Sequence, residues 1–87
     1  MKEEIARAWA DRLLSDDFTQ GKGYLRLQRA GEPYTTTWCC LGVLCEMHRI
    51  ETGGPDWVRG AVVVGRQYTM SYMDENTSLP EAVLLWS

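Results

Sequence analysis

The chain has 87 residues with 45% hydrophobic and 24% charged side chains, enough for one globular domain and too few for two. Its net charge of −3 makes a poor footprint for duplex nucleic acid, which needs many neutralised phosphates. No apolar run approaches the roughly 20 residues of a membrane span, and acidic residues interrupt the opening "MKEEIARAWADRLL", which therefore reads as neither anchor nor secretion signal.

Ile5, Trp9 and Leu13 recur every four residues beside Ala6, Ala10 and Leu14. That stripe predicts a helix from about Glu3 to Leu14, with Glu3 and Glu4 at its positive end. "SDDFTQGKG" (residues 15–23) stops it with turn formers and two glycines. "YLRLQ" (residues 24–28) alternates as a half-buried strand does, "RAGEP" is a turn, and "YTTTW" (residues 34–38) is β-branched and aromatic, so together they predict a hairpin. Leu41, Leu44, Cys45 and His48 then fall at i, i+3, i+4 and i+7, a second helix through about Arg49 that "ETGGPD" ends. "AVVVG" and "QYTMSYM" predict two more strands, with Gly65 marking a bend or bulge between them. In "SLPEAVLLW", Ser78 and Glu81 have capping-box spacing around Pro80 and predict a short terminal helix. The expected fold is a single α+β domain over residues 1–87: a small antiparallel sheet packed against one or two main helices, with a short C-terminal helix.

All three cysteines and the only histidine lie within "TWCCLGVLCEMH" (residues 37–48). Structural zinc sites use cysteine pairs two to four residues apart with a second pair downstream. Here Cys39 and Cys40 are adjacent; Cys45 and His48 share a helical face, but Cys40 projects elsewhere. Thiol catalysis lacks a CxxC motif and an orienting partner for the histidine. An odd cysteine count also argues against a disulfide framework. The expectation is no metal, no disulfide and no catalytic thiol: "CCLGVLC" is core packing, with Gly42 admitting a close neighbour.

"QGKGYLR", then "WCCLGVLCEM" and a late "LPEAVLLW", together resemble a group of small proteins of unknown function encoded by tailed bacteriophages and prophages. The resemblance covers most of the chain, and "CCLGVLC" is its most specific part. Many members of that group continue past the tryptophan corresponding to Trp86 with another helix, whereas the sequence here stops at Ser87. The resemblance implies a phage accessory protein acting in the cytoplasm of a bacterial host.

Phe18 to Gly31 carries Lys22, Arg26 and Arg29 and no acid, a basic island in an acidic chain. Lys22 sits between Gly21 and Gly23, whose freedom at positive φ can expose backbone amides to phosphate oxygens. The P-loop pattern is absent, since Gly23 stands where Ser or Thr is required. The candidate ligand-binding residues are therefore Gly21, Lys22, Gly23, Tyr24, Arg26 and Trp38, with the two aromatics stacking on a base. Asp16–Asp17 and Asp74–Glu75 are sequence neighbours and define no acid–base pair, so neither a catalytic role nor a cofactor is expected. Four tryptophans and four tyrosines exceed what so small a core encloses, which points to a homo-oligomer. The leading expectation is a non-catalytic counter-defence module sequestering a small phosphorylated, nucleotide-type ligand. A protein-binding inhibitor of a bacterial defence effector, of the anti-CRISPR kind, and a minor structural phage protein are the alternatives.

Overall fold

Residues 1–15, 17–21, 23–29, 36–63 and 67–87 are described by the computed structural model. Helix α1 is Glu3–Leu14, as its four-residue apolar spacing dictates. Only Ile5 of the stripe is fully buried, and Leu13 remains 43% exposed. Trp9 reaches across instead: its Nε1–H donates to the Cys40 carbonyl at 2.8 Å, tying α1 to the helix that follows.

That helix, α2, is Cys40–Thr52, with Cys39 at its N-cap and Gly53 closing it in the left-handed conformation. It runs three residues beyond Arg49 because the terminator is the glycine cap rather than the last apolar residue; Ile50 is 54% exposed. Gly42, Val43, Leu44, Cys45, Met47 and His48 are all buried, so α2 forms the centre of the molecule. Leu44, Cys45, Leu25, Tyr72 and Val83 are wholly enclosed in one cluster with Ile5 and Met47. Each large apolar side chain buried this way contributes about 1.5–3 kcal/mol. The expected close approach at Gly42 is real. A Cβ there would overlap the Leu25 carbonyl, which also accepts the Cys39 N–H at 3.2 Å.

Among the described residues five strands complete the architecture: β1 (Thr19–Gln20), β2 (Arg26–Arg29), β3 (Thr36–Trp38), β4 (Val58–Val63) and β5 (Gln67–Ser71). Their order is β1-β3-β2-β5-β4. Three pairings are antiparallel, as expected, but β1 lies parallel to β3 with Gln20 beside Trp38, so the sheet is mixed. Two residues carry no readable alternation, which is why the segment reads as loop in sequence. The turn predicted at "RAGEP" and the bend predicted at Gly65 fall outside the described residues, apart from Arg29 at the end of β2.

Helix α3 is Glu81–Trp86, short and C-terminal. The predicted capping box does not form. Pro80 occupies the N-cap with no side-chain cap bond, and the Ser78 hydroxyl donates to Glu75 Oε2 at 2.8 Å. Proline offers no N–H for a glutamate to reach back to, so the reciprocal bond has no donor at that cap. Val83 anchors α3 in the core, and the Lys2 N–H donates to the Ser87 carbonyl at 2.8 Å. Among the described residues, no helix is long and apolar enough to cross a membrane.

Candidate functional site

Residues paired directly across strands project from the same face of a sheet. Arg26 pairs with Trp38 on one side and Met70 on the other, and Met70 pairs with Arg59 on β4. The register therefore lays Trp38, Arg26, Met70 and Arg59 in one row across four strands. Between Arg59 and Val62 the β4 ladder slips by one residue, with Gly60 and Ala61 opposite Thr69. The Thr69 hydroxyl donates to the bulged Ala61 carbonyl at 3.2 Å, and a Cβ on Gly60 would come within 2.6 Å of that hydroxyl. The bulge puts Arg59 and Val62 on the same face as Met70 and Tyr68, where strict alternation would separate them.

Arg26 is the central feature of the row. Its guanidinium carbon lies 4.7 Å from the Trp38 ring centroid and 5.5 Å from that of Trp57. Trp38 and Trp57 meet edge to face at 5.6 Å, and Phe18 meets Trp38 the same way at 5.2 Å. Burial holds the Arg26 pKa below its ordinary value, opposed by nearby Glu46 and reinforced by Arg49, yet a guanidinium remains charged. Its Nε–H is buried and has no hydrogen-bond partner among the described residues. Glu46, the neighbouring acid, is already engaged: it accepts from Arg49 Nε and, at 3.4 Å, from Trp57 Nε1. A buried donor left unmade costs about 1–3 kcal/mol, more when charged.

On the other side of Trp38 lies a groove of about 170 Å³, lined by Leu13, Phe18, Gln20, Trp38, Cys40 and Val43. Drug-sized ligands occupy pockets of roughly 300–1,000 Å³, so this one accommodates a single ring or side chain. Pairing of Gln20 with Trp38 in the parallel ladder sets a side-chain amide beside the indole.

The candidates named from sequence separate into groups. Arg26 and Trp38 are brought into contact. Tyr24 is half-buried, and Gly23 is exposed at φ 89° with open space around it. Gly21 does not offer its amide to a ligand: that N–H donates to the Trp38 carbonyl at 2.7 Å, and an added Cβ would press on Thr37 at 2.8 Å. Lys22 lies outside the described residues. Sequence reasoning missed Phe18, Trp57, Glu46 and Arg59. The readable hints were aromatics isolated in polar turns and an arginine beginning an otherwise apolar strand.

The family described as Domain of unknown function (DUF8296) matches residues 1–87. The chain belongs to that family. Comparison with the curated proteins and with the solved structures finds no match.

In this DUF8296 domain the three thiols are free and differ in environment. Cys45 is buried, Cys39 half-buried and Cys40 exposed. Burial, with Cys39 and Glu46 nearby, pushes the Cys45 thiol up to about 12, so it stays protonated and packs as a small apolar side chain. Among the described residues no group of three or more His, Cys, Asp or Glu is gathered as a metal site would require. His48 and Tyr72 share a 2.7 Å hydrogen bond between Nδ1 and the phenol oxygen. Both are buried, and the His48 ring meets Tyr72 and Trp86 edge to face at 5.7 and 5.2 Å. The pair lies within the packed interior, where it orders the core.

Proposed function

We propose that the protein is a non-catalytic binding module for a small phosphorylated, nucleotide-type ligand, held through its phosphate by Arg26. The observation that carries this reading is the Arg26 Nε–H, buried and without a partner among the described residues, a charged donor fixed in place by Trp38 and Trp57. The groove on the far side of Trp38 supports a planar base as the second part of the ligand. Phe18 and Trp38 supply apolar walls, and the Gln20 amide supplies a donor and an acceptor for a ring edge. Sequestration requires affinity alone, which agrees with a site that offers a cation and rings and no acid–base pair. The phage-like motifs support a counter-defence role in a bacterial host.

The test is calorimetry with adenosine 5′-monophosphate, cyclic AMP and ADP-ribose, each against wild type and Arg26→Gln. A charge-assisted hydrogen bond contributes about 1.5–3 kcal/mol, so Arg26→Gln weakens binding roughly ten- to a hundredfold. Circular dichroism verifies that the variant is folded. Unchanged affinity in a folded variant, or no binding of any of the three by wild type, removes the reading.

A second reading, grip on a host protein, is favoured by a different observation. Helix α3 presents Leu84 and Leu85 to solvent at 56% and 77% exposure. Leu84→Ser with Leu85→Ser abolishing co-purification of one host protein, with nucleotide binding absent, would decide for it.

A further inference from the structure

We infer that β4 is a self-association edge: two copies of the chain pair their β4 strands antiparallel, about a two-fold axis at Gly60–Ala61, and join their sheets. Among the described residues β4 pairs with β5 alone and ends the sheet, so its outer side presents backbone N–H and C=O groups that another strand matches. The edge lacks the side chains that usually guard one. "VRGAVV" contains no proline, lysine or acid, and Val58 and Val62 are 64% and 58% exposed. Its single charge, Arg59, is drawn inward, with its guanidinium carbon 4.6 Å from the centroid of the Tyr68 ring on β5. The opposite edge, β1, is only Thr19–Gln20, too short to receive a six-residue strand. Pairing β4 with β4 is therefore the closed arrangement open to this sheet, where β4 on β1 would build an open chain.

The bulge sets the register. Identical strands paired antiparallel are related by a two-fold axis perpendicular to the sheet, so residues that face each other across it project from the same side. In a regular strand Arg59 and Val62, three positions apart, project from opposite sides. Here the slip at Gly60–Ala61 puts Arg59 opposite Met70 and Val62 opposite Tyr68, which are two positions apart on β5. Arg59 and Val62 thus share a face, and their backbone groups share a phase of the ladder. Arg59 of one copy then sits opposite Val62 of the other, and Val58 opposite Val63, which uses the whole strand. No arginine faces an arginine in this register. The axis passes between Gly60 and Ala61, the two smallest residues of β4, where two main chains approach most closely.

Sedimentation velocity on the full chain, from micromolar to millimolar concentration, tests the association. Wild type shows a reversible monomer–dimer equilibrium. Val62→Lys sets a cation opposite Arg59 of the second copy and weakens the dimer at least about tenfold, since like charges directly opposite are destabilising. Thr19→Lys, on the other edge of the sheet, leaves it unchanged. Circular dichroism verifies that both variants are folded. Disulfide trapping reads the register independently. Chains carrying Arg59→Cys and chains carrying Val62→Cys, each with the exposed thiol removed by Cys40→Ser, are mixed and oxidised. Mass spectrometry finds the bridge joining position 59 to position 62 in excess over bridges joining 59 to 59 or 62 to 62. A wild type that stays monomeric throughout, a dimer indifferent to Val62→Lys, or like-position bridges in the majority overturns the inference.

Discussion

The Leu25 carbonyl occupies the position that a Cβ on residue 42 would need, so α2 meets the start of β2 backbone to backbone. That carbonyl also accepts the Cys39 N–H, fixing the entry of the helix. Gly42→Ala must therefore displace main chain rather than a mobile side chain. We expect a loss of about 3 kcal/mol in urea denaturation, the upper end for overpacking. Gly23→Ala, strained by positive φ but meeting no neighbour, should cost only about 1 kcal/mol. Equal effects at the two sites would contradict the contact.

The buried His48–Tyr72 bond makes stability depend on pH. Burial lowers the His48 pKa from its ordinary 6.5, so the unfolded chain binds the proton more readily than the folded one. Stability from this group is complete above pH ~6.5 and declines as pH falls toward the folded value, ahead of most carboxylate titration near pH 4. Denaturation midpoints at pH 7.5, 6.5 and 5.5 should descend, and His48→Gln should flatten the series. Tyr72→Phe leaves the His48 nitrogen without its partner and should cost about 1–3 kcal/mol at pH 7.5.

Much of this fold can be read from residue order, and particular residues explain the remainder. Ile5, Trp9 and Leu13 announce α1 with its ends, because a stripe of that length has a single period. The spacing of Leu41, Leu44, Cys45 and His48 locates α2 but stops short of Thr52, since Ile50 breaks the apolar face by pointing outward. Strand β1 is two residues long and exists through pairing with β3, a long-range fact. For the site, the hairpin reading puts Arg26 and Trp38 on neighbouring strands, but only the register makes them opposite. Arg59 stands out as a charge in an apolar strand, but its face does not: a bulge at Gly60–Ala61 decides it, and counting by twos across that bulge gives the wrong answer.

Thiol reactivity should follow burial in three steps. A water-soluble disulfide reagent is expected to label Cys40 within the mixing period, Cys39 more slowly, and Cys45 only in denaturant. Mass spectrometry of quenched time points reads the order. Labelling of Cys45 in the native state at a rate matching Cys40 would show that its enclosure is wrong.

Glu46 gathers Arg49 and Trp57 and stands close to Arg26. Its side chain is 13% exposed, so removing it leaves cations and an indole N–H without their acceptor in a partly enclosed place. Glu46→Ala should lower stability by about 2 kcal/mol. It should also raise affinity for inorganic phosphate, because the competing negative charge near Arg26 is gone. A variant that binds phosphate more weakly while folded would show that Glu46 assists the anion.

The rings of this molecule form an unbroken series: Phe18 to Trp38 at 5.2 Å, Trp38 to Trp57 at 5.6 Å, and Trp57 to Tyr72 at 5.2 Å. His48 continues it from Tyr72 to Trp86. Light absorbed by one indole in such a series does not stay there. At 5.6 Å, excitation of Trp38 is expected to pass to Trp57, and fluorescence anisotropy of the folded chain checks it. Their ordered edge-to-face packing should also contribute near-ultraviolet dichroism that disappears when the packing is lost. A molecule entering the groove beside Trp38 therefore dims an antenna rather than a single lamp, and replacing Trp57 by phenylalanine would split that antenna in two.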